Sequence, residues 1–459
     1  MLEYLTSKGS KSTLPLVTLS ARELPAWRKQ QPDKVKRWLQ SVSFQARPGE
    51  RCLIPGNDGA AAQAVVGIAN PRDPWSYAAL PALLPKGRYR LAVEPDATVA
   101  DAVALGWALG TYEFTRYKAT SASFATLVWP QHADQARVSA LVEATGLCRD
   151  LINTPAEDLG PHELVEAGVA LGKRHGGKTK VLRGEKELKE LPAVYAVGRA
   201  SSRPPELLDL SWGDAKNPKV TLVGKGVVFD TGGLNIKATP YMKLMKKDMG
   251  GAALVLALSH VIMALGLPVR LRTLVPAVEN SISGNAMRPL DVLNTRKGLT
   301  VEIGNTDAEG RLILCDALTL ADEEQPELLI DAATLTGAAR IALGTGLPAL
   351  FSSQTALARE LIDAGEHSFD PLWHMPLHEP YDKQLDSKVA DLNNISSSEY
   401  GGAIIAALFL KRFIAPTTPW LHIDTMGWNL EGQPGRPVGG EALGLRALTE
   451  LLIRRYPRT

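Results

Sequence analysis

The chain has 459 residues, of which 45% are hydrophobic and 22% charged, a composition typical of a folded globular protein with a sizeable core. Its length predicts two domains. The net charge of +2, from 51 basic and 49 acidic residues, provides no overall field that would direct it to nucleic acid or to an anionic membrane.

The start of the chain lacks the apolar core of a secretory signal, and no stretch approaches the roughly 20 apolar residues of a membrane span. The three cysteines, Cys52, Cys148 and Cys315, are widely spaced, which argues against a disulfide framework and suits a reducing compartment. The sequence therefore predicts a cytoplasmic protein.

Residues 1–135 contain short strand-like runs at 51–54, 88–93 and 125–129, separated by turns rich in proline and glycine, and a helical stretch near 99–112. This pattern predicts a small N-terminal α/β domain. Its carboxylates are scattered and it has no glycine-rich phosphate loop, so we expect no catalytic chemistry there.

Residues 136–175 are predicted to be helical. A helix over 137–150 is followed by a break at Pro155, and a second helical run opens at Gly160. We interpret this region as a helical linker between the N-terminal domain and a larger domain over residues 176–459.

Strands and helices alternate in the larger region, which indicates a sheet covered by helices on both faces with chemistry at the loops that follow strand ends. The predicted strands are 220–223, 269–278 and 328–333. The predicted helices are 252–265, 312–323 and 403–413.

Residues 305–312, NTDAEGRL, carry the first chemical signal. Asp307 and Glu309 are two positions apart, so their side chains converge in an extended or turning segment, where like charges are unfavourable unless a divalent cation neutralises them. For this motif in isolation the favoured explanation is a solvated acidic loop with Arg311 as a surface counter-charge.

The second cluster spans residues 224–251. Asp230 precedes two consecutive glycines, and Asp248 stands where an N-cap would stand before a helix beginning near Gly251. Taken alone, Asp248 is explained as that cap and Lys225 as a surface lysine at a turn.

Together, these clusters supply four carboxylates, about what two divalent ions a few Å apart require. They are Asp230, Asp248, Asp307 and Glu309. The eight histidines show no metal-binding spacing; His374 and His378 are four apart, but Pro376 between them argues against a ligating helix. There is no G-x-S-x-G nucleophile elbow.

In these motifs the sequence resembles the leucyl aminopeptidases, also called cytosol aminopeptidases. The motifs that carry the resemblance stand in the order of that family, and they are KGVVFDTGGLNIK at 225–237, MKKDMGGAA at 245–253, NTDAEGRL at 305–312 and DAATLTGAA at 331–339. Clear similarity covers about residues 148–459, while the N-terminal region matches only in position and general character.

The resemblance implies an α/β fold, with a small macro-like N-terminal domain and a larger C-terminal α/β/α sandwich domain with a mixed central sheet. It also implies a homohexamer, a dimer of trimers. The implied activity is a metalloexopeptidase that releases an N-terminal residue, leucine-like or otherwise apolar, by attack of a water bridging two divalent metals, Zn²⁺ or Mn²⁺.

Carried over to this chain, Asp230 and Glu309 bridge the two metals and Asp307 completes one site. Lys225 and Asp248 complete the other, which requires a neutral lysine amine that two nearby dications would favour. The resemblance also implies two catalytic residues and an anion: Lys237 stabilises the developing oxyanion, and Arg311 holds a bicarbonate ion as general base.

The substrate α-amine is expected to ligate the second metal, which restricts the enzyme to free peptide N-termini. The expected substrate-binding residues are Met245, Asn305, Thr334, Gly337, Met426 and Asn429. Many family members have Ala-Gly where this chain has Met426-Gly427, so we expect Met426 to narrow the pocket and Asn429 to polarise it.

Two alternatives stand beside the aminopeptidase hypothesis. The carboxylates alone permit another two-metal hydrolase, such as a phosphoesterase. A non-catalytic role in binding DNA or another protein is implied by the resemblance to some bacterial relatives. The near-neutral charge argues against nucleic acid as a partner, and no membrane partner is expected.

Overall fold

The computed structural model describes residues 1–120 and 122–458, which form two compact units. The first unit comprises Met1–Gly146 together with the later segment Glu431–Val438. The second comprises Leu147–Leu430 and the chain from Gly439 onward. Helix α5, Gln135–Asn153, runs through the boundary between them.

The first unit contains a mixed sheet in the order β1-β6-β5-β2-β4-β3, in which β3 pairs antiparallel with β4 and the other pairs are parallel. Its strands are β1 Leu5–Thr6, β2 Leu14–Leu19, β3 Arg51–Pro55, β4 Ala61–Gly67, β5 Arg88–Leu91 and β6 Thr126–Val128. Its helices are α1 Leu24–Lys29, α2 Asp33–Ser41, α3 Leu80–Leu83 and α4 Ala97–Leu109.

The second unit contains the longer strands and the most buried helices. Its strands are β7 Lys178–Arg183, β8 Glu206–Trp212, β9 Lys219–Gly224, β10 Gly226–Asp230, β11 Arg270–Asn280, β12 Val292–Asn294, β13 Thr300–Glu302, β14 Leu328–Ala333, β15 Ala349–Phe351, β16 Trp373–His374, β17 Leu392–Asn393, β18 Trp420–Asp424, β19 Trp428–Asn429 and β20 Gly439–Gly440. Its helices are α6 Pro161–Arg174, α7 Gly184–Glu187, α8 Pro192–Gly198, α9 Thr239–Met242, α10 Gly250–Leu265, α11 Gly310–Asp322, α12 Gly337–Leu343, α13 Thr355–His367, α14 Gly402–Lys411 and α15 Leu445–Arg455.

The main sheet of the second unit runs in the order β16-β15-β18-β14-β9-β11-β8-β7, and β10 pairs with β11. Strands β18, β14, β9 and β11 are parallel, whereas β15 and β8 join them antiparallel. The central strands are short apolar runs because side chains on both faces of the sheet are buried. The expected α/β fold with a mixed central sheet is confirmed.

Every strand and helix predicted for residues 176–459 is present to within a few residues of its predicted bounds. The prediction did not include β2, which contains Pro15, or β7, whose residues are mostly exposed. A proline interrupts a strand signal and an exposed strand lacks apolar alternation, so neither segment stands out in the sequence.

The helical run Met245–Leu265 is 21 residues long and apolar enough to cross a membrane, which differs from the expectation that no stretch approaches that length. However, 94% of its apolar window is buried inside the protein. Helix α10 therefore has the surroundings of a core helix, packed against β9 and β14.

Candidate metal centre

The carboxyl ends of the parallel strands meet at one edge of the main sheet, where polar side chains follow the buried runs. Lys225 follows β9, Asp230 ends β10, Thr334 follows β14 and Met426 lies two residues beyond β18. Because parallel strands present their carboxyl ends together, this edge collects residues that are far apart in the sequence.

Asp307 and Glu309 reach the same place from the turn that precedes α11. The turn is fixed by Thr306, whose hydroxyl donates to the carbonyl oxygen of Gly232 at 2.6 Å, and by Asn305, whose side-chain oxygen accepts from the Asp307 amide at 2.8 Å. The hydroxyl of Thr306 also accepts from the Asn235 amide. The two segments predicted to carry the chemistry are therefore joined directly.

Three carboxylates converge in this turn region. Asp230, Asp307 and Glu309 each offer an oxygen within 4.8 Å of the other two, and Asp230 and Glu309 are buried. Asn280, at the end of β11, donates to Asp230 Oδ1 at 2.8 Å and fixes the orientation of that carboxylate. Such a set of oxygens is a ligand arrangement suited to divalent cations.

Two lysines lie between these carboxylates. Lys225 Nζ is 2.7 Å from Asp248 Oδ2 and 3.0 Å from Glu309 Oε1. Lys237 Nζ is 2.7 Å from Asp230 Oδ2 and also contacts Asp307. The cluster therefore contains four carboxylates, Asp248 among them, and two ammonium groups.

The pKa values of three of the carboxyl groups are shifted toward the neutral form. Burial and the charge of Asp248 raise the pKa of Asp230, and burial and Asp230 raise that of Glu309. Burial and Glu309 raise the pKa of Asp307. Each cause reflects negative charge held away from water, which a bound cation would relieve.

The pKa values of Lys225 and Lys237 are raised as well, which for a lysine favours the charged form. Burial opposes the charge on Lys225, but Asp248 and Glu309 outweigh it and raise its pKa. Burial likewise opposes the charge on Lys237, and Asp230 leads the carboxylates that raise its pKa. With protein groups alone, both lysines serve as the counter-charges of the cluster.

The alternative explanation of Asp248 as a helix N-cap is wrong. Helix α10 begins at Gly250, the cap position is Met249, and no side chain caps the helix. Asp248 Oδ1 instead accepts from the hydroxyl of Thr334 at 2.8 Å, and Oδ2 faces Lys225. The carboxylate turns away from the free amides because the buried lysine provides a stronger partner.

A cavity of about 580 Å³ opens over this cluster. It brings together most of the residues predicted for the site. They are Lys225, Asp230, Lys237, Met245, Asp248, Asn305, Asp307, Glu309, Thr334, Gly337 and Met426. Within residues 1–120 and 122–458, none of the eight histidines lines it.

Arg311 and Asn429 are not among the residues that line this cavity. Arg311 is buried, and its Nη1 donates to the carbonyl oxygen of Asn394 at 2.6 Å. Its Nε is buried and has no hydrogen-bond partner in the described part of the chain, and burial lowers its pKa to about 10. Asn429 donates to Glu441 Oε2 at 2.8 Å.

Asn280, Lys247 and Arg340 also belong to the site and were not predicted from the sequence. Lys247 and Arg340 line the cavity, and burial lowers the pKa of Lys247 to about 8. Lys247 lies inside the MKKDMGGAA motif, and Arg340 follows DAATLTGAA directly. Their positions in or next to these motifs were the sequence signal for a role in the site. A single basic residue, however, is usually a surface charge.

The site fits divalent metal ions. Its ligand atoms are carboxylate oxygens from separate segments, brought together in a buried cluster. Asp248 Oδ2 and Glu309 Oε1 lie close to Lys225 yet accept no well-aligned hydrogen bond within the described residues. Buried oxygens without aligned donors are available to a cation.

Comparison with known proteins agrees with this geometry. A model described as the cytosol aminopeptidase family, catalytic domain, matches residues 146–449. A model of the M17 aminopeptidase N-terminal domain matches residues 14–130. The chain belongs to the cytosol aminopeptidase family. Membership makes it a peptidase, a hydrolase of peptide bonds, in a metal-dependent family, and the resemblance stated from the motifs is confirmed.

Three relatives match between 79% and 99% of the chain. A probable cytosol aminopeptidase of Agrobacterium fabrum is 43% identical over 385 residues, 79% of this chain and 76% of the relative. The crystal structure of a cytosol aminopeptidase from Coxiella burnetii matches with a TM-score of 0.95 at 47% identity, covering 99% of this chain and 100% of that one. The bottromycin maturation enzyme BotP, in complex with Mn, matches with a TM-score of 0.86 at 34% identity, covering 97% and 99%.

Proposed function

We propose that this cytosol aminopeptidase releases the N-terminal residue of peptides at a centre of two divalent metal ions. The observation that carries the proposal is the cluster of four carboxylates and two lysines, most of them buried, that lines one cavity. A surface acidic loop, the alternative for NTDAEGRL alone, does not account for it because Glu309 is buried and the carboxylates from three segments converge.

Five residues would hold the metals. Asp230 and Glu309 would contribute to both ions, Asp307 to one, and Lys225 with Asp248 to the other. Zn²⁺ and Mn²⁺ are the proposed ions, and the similar structure of the bottromycin maturation enzyme BotP is a complex with Mn. Bound metals would supply an activated water and polarise the scissile carbonyl.

Lys225 can act as a ligand only as a neutral amine. Its ammonium form is stabilised by Asp248 and Glu309, whose charges two dications would take up instead. Metal binding by this set therefore releases a proton from Lys225.

Lys237 would donate to the carbonyl oxygen of the scissile bond as negative charge develops there. Its 13% exposed side chain lines the cavity and is held between Asp230 and Asp307, so its ammonium is positioned before the substrate arrives. The proposed role of Arg311 is to hold a bicarbonate ion as general base. Its buried, unpartnered Nε supports that role, although its side chain does not line the cavity.

The substrate's first side chain would pack against Met245, Thr334, Gly337 and Met426, with Asn305 near the scissile bond. Met426 and Met245 are both buried apolar residues, which suits the carbon atoms of an apolar side chain and equally the methylene groups of a longer polar one. Asn429 would act indirectly, through its hydrogen bond to Glu441. We also propose a cytoplasmic location and a homohexameric assembly.

Competing substrates test this proposal against the alternatives. Metal-loaded protein is assayed with aminoacyl-p-nitroanilides and with p-nitrophenyl phosphate. We expect hydrolysis of the anilides only. Hydrolysis of the phosphate ester alone would favour a phosphoesterase, and binding of DNA in a gel shift without either activity would favour a non-catalytic role.

A further inference from the structure

Arg340 is a charged residue of the cavity that the proposed mechanism does not use. It lies on α12, half-buried, and its Nη1 donates to the Met426 sulfur at 3.2 Å. A thioether is a weak acceptor. Within residues 1–120 and 122–458, no carboxylate oxygen lies within 4.0 Å of its guanidinium.

Lys247 is a second basic residue in the same cavity. Its side chain is 2% exposed, and its Nζ lies 3.6 Å from Asp248 Oδ1, an oxygen that already accepts from Thr334. Its amine has further hydrogen-bond donors whether or not it carries a charge. The remaining carboxylates of the site contact Lys225 and Lys237 instead.

Charged groups are therefore distributed unevenly between the two ends of the cavity. Its metal-binding end holds four carboxylates with two lysines between them, whereas at its Met426 end the guanidinium of Arg340 contacts a thioether and, among the described residues, has no carboxylate oxygen within 4.0 Å. Partial burial of a guanidinium without an anion beside it is unfavourable. A carboxylate placed against it accepts charge-assisted, often bidentate, hydrogen bonds.

The position of Thr334 connects these two ends. Its hydroxyl donates to Asp248 at the metal-binding end, and its methyl group lies beside Gly427, the neighbour of Met426. A peptide whose amine and first carbonyl occupy the carboxylate cluster would thus direct its first side chain along Thr334 toward Met426 and Arg340.

We propose that this pocket takes an acidic N-terminal side chain, aspartate or glutamate, whose carboxylate accepts hydrogen bonds from Arg340 and Lys247. The inference rests on the proposed aminopeptidase function and names its substrate class. The methylene groups of the acidic side chain pack against Met245 and Met426. A leucine side chain makes those same apolar contacts but leaves Arg340 without an anion.

The test compares glutamyl, glutaminyl and leucyl p-nitroanilides, which carry no C-terminal carboxylate and so isolate the side-chain contact. Wild-type protein is compared with Arg340→Met, Arg340→Lys and, as a control for loss of a positive charge, Arg359→Met on the exposed face of α13. We expect the glutamyl substrate to exceed the glutaminyl one in kcat/KM by about tenfold or more, since a lost charge-assisted hydrogen bond has effects of this order.

That ratio should fall toward one in Arg340→Met, recover in part in Arg340→Lys and stay at the wild-type value in Arg359→Met. Calorimetric binding of L-glutamate against L-glutamine to the wild-type protein gives a second readout, which stands even if Arg340→Met fails to fold. We expect L-glutamate to bind about tenfold more tightly.

Cleavage of leucyl and glutaminyl anilides with no preference for glutamyl, together with equal binding of the two free amino acids, would overturn the acidic pocket and leave the aminopeptidase function intact. Failure of the folded, metal-loaded protein to cleave any of the three anilides would instead contradict the proposed function, and the inference with it.

Discussion

The proposed role of Lys237 depends on its positive charge and does not require it to bind a metal ion. It contacts Asp230 and Asp307 and lines the cavity. We expect Lys237→Met to lower kcat by about 10²- to 10³-fold, as loss of a single oxyanion donor does. Steady-state kinetics on a leucyl or glutamyl anilide measures the change.

The matched control is Lys243→Met, an exposed lysine six residues further along the same segment that does not line the cavity. It should leave kcat at the wild-type value. Equal losses in both variants would show that the effect comes from the general charge of this segment, and an unchanged kcat in Lys237→Met would remove the oxyanion role.

At the scale of single residues, the sequence predicted the acidic cluster because its members stand in motifs at the ends of elements. Asp307 and Glu309 were recognised together, because two closely spaced carboxylates repel each other unless a positive charge neutralises them. Arg340 was not predicted, because its proposed role depends on there being no carboxylate oxygen within 4.0 Å of its guanidinium among residues 1–120 and 122–458, which is a property of the folded chain.

At the scale of elements, α10 approaches the sheet closely at Gly251. A methyl group there would lie 2.0 Å from the carbonyl oxygen of Ala332, which also accepts from the Lys225 amide at 3.0 Å. The helix and β14 would have to separate, so we expect Gly251→Ala to destabilise the protein by about 1–3 kcal/mol. Calorimetric melting measures this loss.

Gly284→Ala is the control, because a methyl group at Gly284 meets nothing within 4 Å and that glycine has no positive φ. Its melting temperature should match the wild type. A melting temperature for Gly251→Ala equal to that of Gly284→Ala would contradict the close packing of α10 on β14.

Strands β14 and β18 are joined by a buried pair of a histidine and an aspartate. His422 Nδ1 lies 2.6 Å from Asp331 Oδ1, and both side chains are fully buried. Burial lowers the pKa of His422, but Asp331 outweighs it and raises the pKa above its usual value of about 6.5. The folded protein therefore holds this proton more tightly than the unfolded chain does.

The stabilisation from this pair is complete below about pH 6.5 and is lost as pH rises through the raised pKa. Across that window we expect the melting temperature of the wild type to fall more steeply with pH than that of His422→Gln. His132→Gln, at an exposed histidine, should follow the wild type. Parallel curves for the wild type and His422→Gln would show that His422 does not titrate in this range.

The elements that were predicted correctly are those whose apolar residues show directly that the element is buried. Strands β9 and β14 are almost wholly buried and mostly apolar, and they were recognised, whereas β7, an edge strand with the sequence KTKVLR, was not. Its pairing with β8 is determined by the backbone of the neighbouring strand, which leaves no apolar pattern.

At the scale of the whole molecule, the proposed homohexamer has a direct measurement. Light scattering after size-exclusion chromatography should give a mass of about 300 kDa, six chains of 49.4 kDa. The expectation comes from the family resemblance, because subunit contacts leave no motif in a single sequence. A mass of about 50 kDa at micromolar concentration would contradict it.

Removal and reconstitution of the metal show whether the chain holds a centre of two metal ions. Protein stripped with EDTA is titrated with Zn²⁺, Mn²⁺ or Co²⁺ while bound metal and anilide hydrolysis are measured together, in the wild type and in Glu309→Gln. We expect the stripped wild type to be inactive and to recover activity as two metal ions bind per chain, and Glu309→Gln to bind fewer ions and to stay nearly inactive. Full activity in stripped protein that contains no measurable metal would contradict a mechanism that depends on two metal ions.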